Sequence, residues 1–302
     1  MSALLQSPIL KQADVRLATT HLHFKNILLA TDFSSGSESA LLAAAEVARF
    51  FHSHLDIINV TVPGVYPTIT GGEQLVMDVQ IESSRARMMD FVRTPALDGI
   101  ETNVEVVWGA SIIDRLNEAI REKHSDLVVV SSHGATGIER MLLGSVAEAI
   151  MRHVGCPVMV VGPNVRPGAL NWNSILLATD LSYQSLRAAQ YATALAEEAK
   201  SNLTLLHVVE NGDRIHNAPA NVFAELEQLL PEDARRRCQP RFRVEYGEIS
   251  DRVLAAADLD QAGLIVMATK DRGMMADHAP WSHFSHIVHG AYCPVLAVQK
   301  HL

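Results

Sequence analysis

The fold of this chain is decided by one short stretch that occurs twice, first as Ile27-Leu28-Leu29-Ala30-Thr31-Asp32 and later as Ile175-Leu176-Leu177-Ala178-Thr179-Asp180. An apolar run that ends in a polar loop is typical of a buried parallel strand. A second stretch, Cys156-Pro157-Val158, recurs as Cys293-Pro294-Val295. Because both stretches recur in the same order, the sequence indicates an internal duplication whose second copy is somewhat shorter.

The duplication divides the 302 residues into two copies of ordinary domain size. We expect a first domain over 23–162 and a second over 174–302. The segment 163–173 between them contains Pro163, Pro167 and Gly168, which favour a linker. Residues 1–22 show no strong pattern and are predicted to form an N-terminal extension.

Within each copy, short apolar runs alternate with helical patterns. The predicted strands of the first copy are 26–32, 55–62, 104–108, 126–132 and 157–161, and its predicted helices are 37–51, 73–92, 111–123 and 145–153. The second copy repeats this order, with predicted helices at 184–199, 222–230, 251–259 and 283–288. The alternation predicts an α/β fold in which helices cover both faces of a parallel sheet.

The composition excludes several classes of protein. Hydrophobic residues make up 48% and charged residues 20% of the chain, which is typical of a folded globular protein and not of a disordered one. The net charge of −9 disfavours nucleic acid and anionic membranes as partners. Three cysteines without a CxxC pair, and a first ten residues without a secretory pattern, predict a cytoplasmic location.

One motif carries the chemistry of an anion site. Ser131-Ser132-His133-Gly134 is followed, after nine residues, by Gly144-Ser145 at the start of a predicted helix. Gly134 lets the backbone approach a phosphate, while Gly144 and Ser145 place amides and a hydroxyl at a helix N-terminus, which attracts negative charge. Asp32 faces the same crevice if the first and fourth strands are neighbours.

These stretches, together with Thr31-Asp32-Phe33-Ser34 and Leu142-Leu143-Gly144-Ser145-Val146, resemble the universal stress protein family in both copies. The resemblance implies two tandem Rossmann-like or flavodoxin-like domains. Each would be a five-stranded parallel sheet in the order 3-2-1-4-5, and such domains pair about a two-fold axis. Family members with a Gly-x2-Gly-x9-Gly-Ser/Thr motif bind ATP.

The resemblance also implies which residues bind the nucleotide, with or without Mg²⁺. The binding residues it implies are Thr31, Asp32, Val60, Ser131, Ser132, Gly134, Gly137, Gly144, Ser145 and Val146. Ser131 stands where the motif has glycine. Purely structural roles stay open as alternatives: Asp32 and Ser145 as helix caps, Val60 as a core residue, and Gly137 as a turn residue.

The second copy departs from the motif. Aligned on the Cys-Pro-Val stretch, Gly134 corresponds to Asp271 and Gly144 to Trp281, while Ser145 corresponds to Ser282. An aspartate repels phosphate, and an indole fills the space that a glycine leaves open. We therefore expect one ATP per chain, bound by the first copy.

Other reactive residues favour structural roles. The histidines His278, His283, His286 and His289 lack the spacing of a metal site, so structural or solvent-facing roles are favoured and no metal site is predicted. Five arginines between Arg235 and Arg243 are interpreted as a solvated linker and strand edge. Cys156 and Cys293 precede prolines at strand starts and are interpreted as buried structural residues.

Three function classes remain. The preferred one is a regulatory ATP-binding module of stress survival with little or no hydrolysis, because the sequence has no Walker lysine, GxSxG or HExxH motif and no catalytic residue is predicted. The second is a nucleotide-free interaction or small-ligand scaffold of the same fold, and the third is a slow ATPase. Pairing of the two domains within the chain is expected, and a homodimer is left open.

Overall fold

The computed structural model describes residues 23–62, 73–133, 143–210, 219–269 and 279–299. The first half contains β1 (Asn26–Ala30), α1 (Ser35–Phe51), β2 (His54–Thr61), α2 (Glu73–Phe91), β3 (Thr102–Trp108), α3 (Ile112–Glu122), β4 (Leu127–Ser131), α4 (Ser145–His153) and β5 (Val158–Val161). The second contains β6 (Ser174–Ala178), α5 (Ser185–Ala199), β7 (Asn202–Val209), α6 (Pro219–Gln228), α7 (Glu232–Cys238), β8 (Arg241–Tyr246), α8 (Ile249–Leu259), β9 (Leu264–Ala268), α9 (Ala279–Gly290) and β10 (Val295–Val298).

The α/β class is confirmed, and the strands form one ten-stranded sheet in the order β3-β2-β1-β4-β5-β10-β9-β6-β7-β8. Each half keeps the expected 3-2-1-4-5 order with parallel neighbours. The two five-stranded units are joined into one sheet, because β5 and β10 pair antiparallel between the halves. Both strands are fully buried, so pairing them removes two apolar edges from solvent.

The register of this junction is symmetric. Met159 lies opposite Leu296, its counterpart in the repeat, and Val160 lies opposite Val295. A pseudo-two-fold axis therefore passes between Met159 and Leu296, and the expected pairing of the halves is confirmed. The strands of the two halves run in opposite directions. The carboxyl ends of the first-half strands therefore lie on the opposite side of the sheet from the carboxyl ends of the second-half strands.

Two continuous cores cover the sheet. Buried residues of α1, α2, α5 and α6 pack on one face, and those of α3, α4, α8 and α9 on the other. Each core contains residues from both halves. The predicted linker is without helix or strand, and its Val165 and Leu170 are buried in the first core. Trp172 stacks on Phe50 with the ring centroids 4.8 Å apart, which ties the linker to the first half.

The described part of the second half contains a helix, α7, that the sequence pattern did not predict. One helix was expected over 222–230, but α6 and α7 are both present, and Arg235–Arg237 lie on α7 rather than in a linker. The acidic Glu232 and Asp233 in the first turn of α7 and the arginines in its last turn complement the helix dipole. In the part of the chain that the structure describes, no helix is long and apolar enough to cross a bilayer.

Candidate functional site

The candidate site lies where β1 and β4 end side by side. Leu29 of β1 pairs with Val129 of β4, so the expected neighbourhood of the two strands is confirmed. The helix after β1 packs on one face of the sheet and the helix after β4 on the other. Such a switch point opens a crevice at the carboxyl ends of the strands. Asp32 and the segment 131–133 both follow strands that end at this crevice.

Asp32 builds the turn between β1 and α1. Its Oδ1 accepts hydrogen bonds from the Ser34 N–H at 3.0 Å and from the Ser37 hydroxyl at 2.7 Å. Phe33 has a φ of 63°, a left-handed conformation that this turn requires. The turn leads into Ser34, whose hydroxyl caps α1 by accepting from the Ser37 N–H.

The second half repeats this turn. The Oδ1 atom of Asp180 accepts from the Ser182 N–H at 3.0 Å and from the Ser185 hydroxyl at 2.7 Å. Leu181 has a φ of 59°, like its counterpart in the first half. The two aspartates therefore share a structural role that needs no ligand, and the predicted binding role of Asp32 would be separate from it.

Thr31 and Val60 lie on neighbouring strands at the same crevice. Thr31 is buried, its N–H donates to the Ile58 carbonyl at 2.9 Å, and its carbonyl accepts from the Asn59 side chain at 2.8 Å. Backbone groups alternate sides along a strand, and the Thr61 carbonyl accepts from Gly109 on the β3 side. The N–H and C=O of Val60 are therefore directed to the β1 side, beyond the point where β1 ends.

Ser131 is accommodated at the end of β4 by Gly36. The Ser131 hydroxyl donates to the His133 carbonyl at 2.9 Å. A Cβ added to Gly36 would lie 3.3 Å from the Ser131 Cβ and 3.0 Å from the His133 carbonyl oxygen. The N-terminus of α1 thus packs tightly against the segment 131–133, and the side chain of Ser131 fits because residue 36 has none.

Gly144 connects the end of β4 to the start of α4. Its N–H donates to the Ser132 carbonyl at 2.7 Å, and an added Cβ would lie only 2.9 Å from that oxygen. Close backbone approach, and not an unusual φ, therefore requires glycine here, since φ is −60°. Ser145 and Val146 follow as the exposed first residues of α4, where the leading amides have no acceptor within the helix.

Several predicted residues cannot be placed. Gly134 and Gly137 lie outside the described residues, and so does Asp271 of the second half. The side chains of Trp281 and Ser282 also lie outside them. The predicted site residues that are described, from Thr31 to Val146, gather on two converging helix N-termini and the strand ends between them.

A cavity of about 470 Å³ lies beside the start of α4. It is lined by Val62, Ala110, Ile112, Ile113, Ser145, Val146 and Ala149. The pocket is shallow and open to solvent, and its lining side chains are apolar except for that of Ser145. Sequence reasoning missed Ile112 and Ile113, because two isoleucines at a helix start carry the same pattern as core residues.

The corresponding place in the second half is polar. Aligned on the Cys-Pro-Val stretch, Ile113 corresponds to Ser250 and Val146 to His283. The Nδ1 atom of His283 lies 3.0 Å from Oε1 of Glu248 and 3.2 Å from the Ser250 hydroxyl. The same Glu248 oxygen accepts from the Ser250 hydroxyl at 3.1 Å. The two crevices therefore differ in chemistry as well as in motif.

The remaining candidates are the histidines and the cysteines that the sequence singled out. Among the described residues, no group of three or more His, Cys, Asp or Glu side chains could hold a metal ion. Burial raises the pKa of both Cys156 and Cys293 to about 12, so neither forms the thiolate that a nucleophile needs near neutral pH.

The arginine run is neutralised by nearby acids. Arg237 contacts Asp233 and Glu197, each at 2.9 Å, and Arg243 contacts Asp260 at 2.9 Å. Arg236 pairs with Glu232 on the same helix. These pairs leave little uncompensated positive charge on the three arginines.

Comparisons with known proteins bear on both halves. The sequence profile of the universal stress protein family matches residues 23–162 and 171–299. A universal stress protein of Methanocaldococcus jannaschii is 30% identical over 140 residues, which cover 46% of this chain and 82% of that protein. A putative universal stress protein of Staphylococcus haemolyticus is 31% identical over 148 residues, covering 46% and 86%.

Solved structures show the same fold over nearly the whole chain. A universal stress protein from Archaeoglobus fulgidus superposes with a TM-score of 0.73 at 20% identity, covering 91% of this chain and 98% of that one. A putative universal stress protein from Pseudomonas aeruginosa superposes with a TM-score of 0.57 at 15% identity, covering 91% and 93%. The first of these likenesses spans both halves and the junction between them.

Proposed function

Because this chain belongs to the universal stress protein family, we propose that it is a regulatory ATP-binding protein with a single nucleotide site in its first half. The observation that carries the proposal is the pocket beside the N-terminus of α4, which is also lined by Val62 after β2 and by the start of α3. An apolar slot next to free helix amides suits a ligand with a flat base at one end and phosphates at the other.

Each part of ATP has a matching group in the described residues. The backbone of Val60, directed past the end of β1, is placed to hydrogen-bond the edge of the adenine. Val62, Ile112 and Val146 offer apolar surface to the base. The first amides of α4 and the Ser145 hydroxyl would hold the phosphates, whose charge the helix dipole favours. The phosphates of ATP carry the negative charge, and Mg²⁺, where present, would be their counter-ion.

We propose that bound ATP is turned over slowly or not at all. Oδ1 of Asp32 is already engaged by the turn, and Cys156 and Cys293 are protonated near neutral pH. The other polar pair in the described part of the site is Ser132 and His133, whose hydroxyl and Nδ1 lie 2.8 Å apart, and the burial of Ser132 disfavours it as a nucleophile. Phosphate release should be far slower than the enzyme median of about 10 per second. Turnover near that rate, abolished by Asp32→Ala, would place the protein among the ATPases.

The decisive test is to identify what the purified protein binds. Chromatography of the nucleotide released on denaturation, followed by calorimetry, should give ATP at one per chain. Val146→Glu replaces apolar surface for the base with a carboxylate and adds negative charge at the start of α4, so it should weaken affinity at least tenfold, which is about 1.4 kcal/mol. Val146 is 40% exposed, so the variant should fold. Gly144 is a poorer target, because a side chain there would strike the Ser132 carbonyl.

A matched control tests whether position matters. Val79→Glu makes the same change on α2, which packs on the opposite face of the sheet, and its side chain is 62% exposed. It should leave ATP affinity unchanged. Equal weakening by both variants would point to a general effect of added negative charge and would contradict the placement of the site.

The polar network in the second half favours a different use for that half. Ser250 and His283 stand where Ile113 and Val146 line the pocket of the first half, and both are hydrogen-bonded in a network with Glu248, so a base would have to displace these hydrogen bonds. If the purified chain carries no nucleotide and gives no heat with ATP, the whole protein is better described as a nucleotide-free interaction or small-ligand scaffold. A homodimer, a cytoplasmic location and a role in stress survival stay predictions.

A further inference from the structure

Helix α9 of the second half lies along the edge where the site of the first half opens. The antiparallel pairing of β5 and β10 brings the C-terminal end of α9 to the carboxyl end of β4. There the ring of His289 meets the ring of His133 edge-on, with the centroids 5.7 Å apart. His133 belongs to the anion motif and lies just after the end of β4.

A second contact reaches the start of α4. The N–H of Leu143 donates to the hydroxyl of Ser285 at 2.8 Å, a hydrogen bond between the two halves. Ser285 is only 5% exposed, so this bond is shielded from water. Leu143 immediately precedes Gly144, which is the N-cap of α4.

The two contacts hold the two ends of one structural unit. Gly144 donates to the Ser132 carbonyl at 2.7 Å, and the Ser132 hydroxyl lies 2.8 Å from Nδ1 of His133. The end of β4 and the start of α4 are thus bonded to each other, and α9 touches both. Any shift of α9 would move the leading amides of α4 relative to the cavity.

The pseudo-symmetric positions have different chemistry. The residues of α4 that correspond to Ser285 and His289 are Glu148 and Arg152. They form an ion pair with each other at 2.7 Å along the helix. In place of this charged pair, α9 carries a hydroxyl and an imidazole. The crevice of the first half therefore faces different side chains from those that face the crevice of the second half.

We infer that the second half positions the nucleotide site of the first, with Ser285 as the positioning residue and the His133–His289 contact as its support. This inference rests on the proposed function. The second half then contributes to affinity without binding a nucleotide itself. Because linkage is reciprocal, phosphates bound at the start of α4 would in turn strengthen the contact between the halves.

The test compares three variants of the full chain. Ser285→Ala removes the acceptor of the Leu143 N–H, and Ser285→Thr keeps it. Gln299→Leu is the matched control, because the Gln299 side chain donates to the Met151 carbonyl at 3.2 Å across the same junction, at the end of α4 away from the site. Hydrogen exchange of the Leu143 amide in nucleotide-free protein should speed up in Ser285→Ala only.

Affinity for ATP and for adenosine separates positioning from general damage. Ser285→Ala should weaken ATP binding about threefold to tenfold, the effect of one hydrogen bond, and leave adenosine binding unchanged. Ser285→Thr should restore ATP affinity, and Gln299→Leu should not alter it. Equal losses for ATP and adenosine, or unchanged ATP affinity despite faster exchange at Leu143, would overturn the inference.

A wild-type protein that binds neither ligand would refute the proposed function instead. The exchange experiment still decides the structural part in that case. Unchanged exchange of the Leu143 amide in Ser285→Ala would show that the second half does not hold the start of α4.

Discussion

Asp32 and Asp180 make the same turn hydrogen bonds through Oδ1 in the two halves. Comparing the two positions therefore distinguishes a structural role of the aspartate from a binding role. Each Oδ1 accepts from a backbone N–H at 3.0 Å and from a serine hydroxyl at 2.7 Å. The aspartate at the end of each first strand is therefore explained by its turn. Any further role of Asp32 has to appear as a difference between the two positions.

We expect Asp32→Ala and Asp180→Ala to lower the free energy of unfolding by similar amounts, about 1–2 kcal/mol, because each removes the same turn. Only Asp32→Ala should weaken ATP binding, because Asp180 lies at the opposite edge of the sheet. Urea unfolding and calorimetry on both variants measure the two effects. Normal ATP affinity in Asp32→Ala would show that Asp32 stabilises the turn and does not contribute to ATP binding.

Gly162, directly after β5, is required by close packing between the halves. An added Cβ would lie 2.0 Å from the Val288 carbonyl oxygen on α9. Gly162→Ala should therefore cost about 3 kcal/mol or more in unfolding free energy. Gly155, before β5, has nothing within 4 Å of its Cβ position, so Gly155→Ala is the control and should cost little. Similar stabilities for the two variants would show that α9 can move away.

Among the helices, α8 has a titratable N-cap. Glu248 accepts from the Asp251 N–H at 2.7 Å. Burial alone would raise the pKa of Glu248, but the Asp251 and Ser250 N–H groups, the Ser250 hydroxyl and His283 outweigh it, so the pKa lies below its ordinary value. A carboxyl with a lowered folded pKa contributes stability above its unfolded pKa, and this contribution is lost as the pH falls through the folded pKa.

Glu248→Gln should therefore destabilise the protein by about 0.5–1 kcal/mol at neutral pH, and the difference should vanish at pH values below the ordinary range near 4.5. Ser111 caps α3 at the equivalent place in the first half and does not titrate in this range. The cost of Ser111→Ala should stay constant with pH. Unfolding curves from pH 3 to pH 7 compare the two, and a Glu248→Gln effect that does not depend on pH would contradict the assignment.

In the whole molecule, both cores run through both halves, so we expect the chain to unfold as one unit. Leu296→Ala, next to the pseudo-two-fold axis and opposite Met159, should cost about 2–5 kcal/mol and leave a single calorimetric transition. Hydrogen exchange should show lost protection in β1 as well as in β6. Two separate transitions in the wild type would show that the halves fold independently.

Much of the fold was accessible from local patterns. The repeated Ile-Leu-Leu-Ala-Thr-Asp stretch identified β1 and β6, and the Gly144-Ser145 pair marked the start of α4. These features depend on backbone preferences and polarity over a few neighbouring residues, which the order of amino acids specifies directly. The expected helix over 222–230 overlaps α6, whereas the short helix α7 was missed, because the pattern of 222–230 carries no sign of the helix that follows.

The amino-acid order alone was sufficient for the duplication and the α/β class, and the resemblance to the family implied the strand order that each half has. The ten candidate binding residues stay predictions. Only the tertiary structure decided that β5 and β10 join the halves into one sheet. It also showed that Val62, Ile112 and Val146 line one open pocket and that the Ser285 hydroxyl accepts a hydrogen bond from Leu143. The physical reason is distance along the chain: these contacts form between segments far apart in sequence, and the free energy of their packing depends on shapes that no local pattern contains.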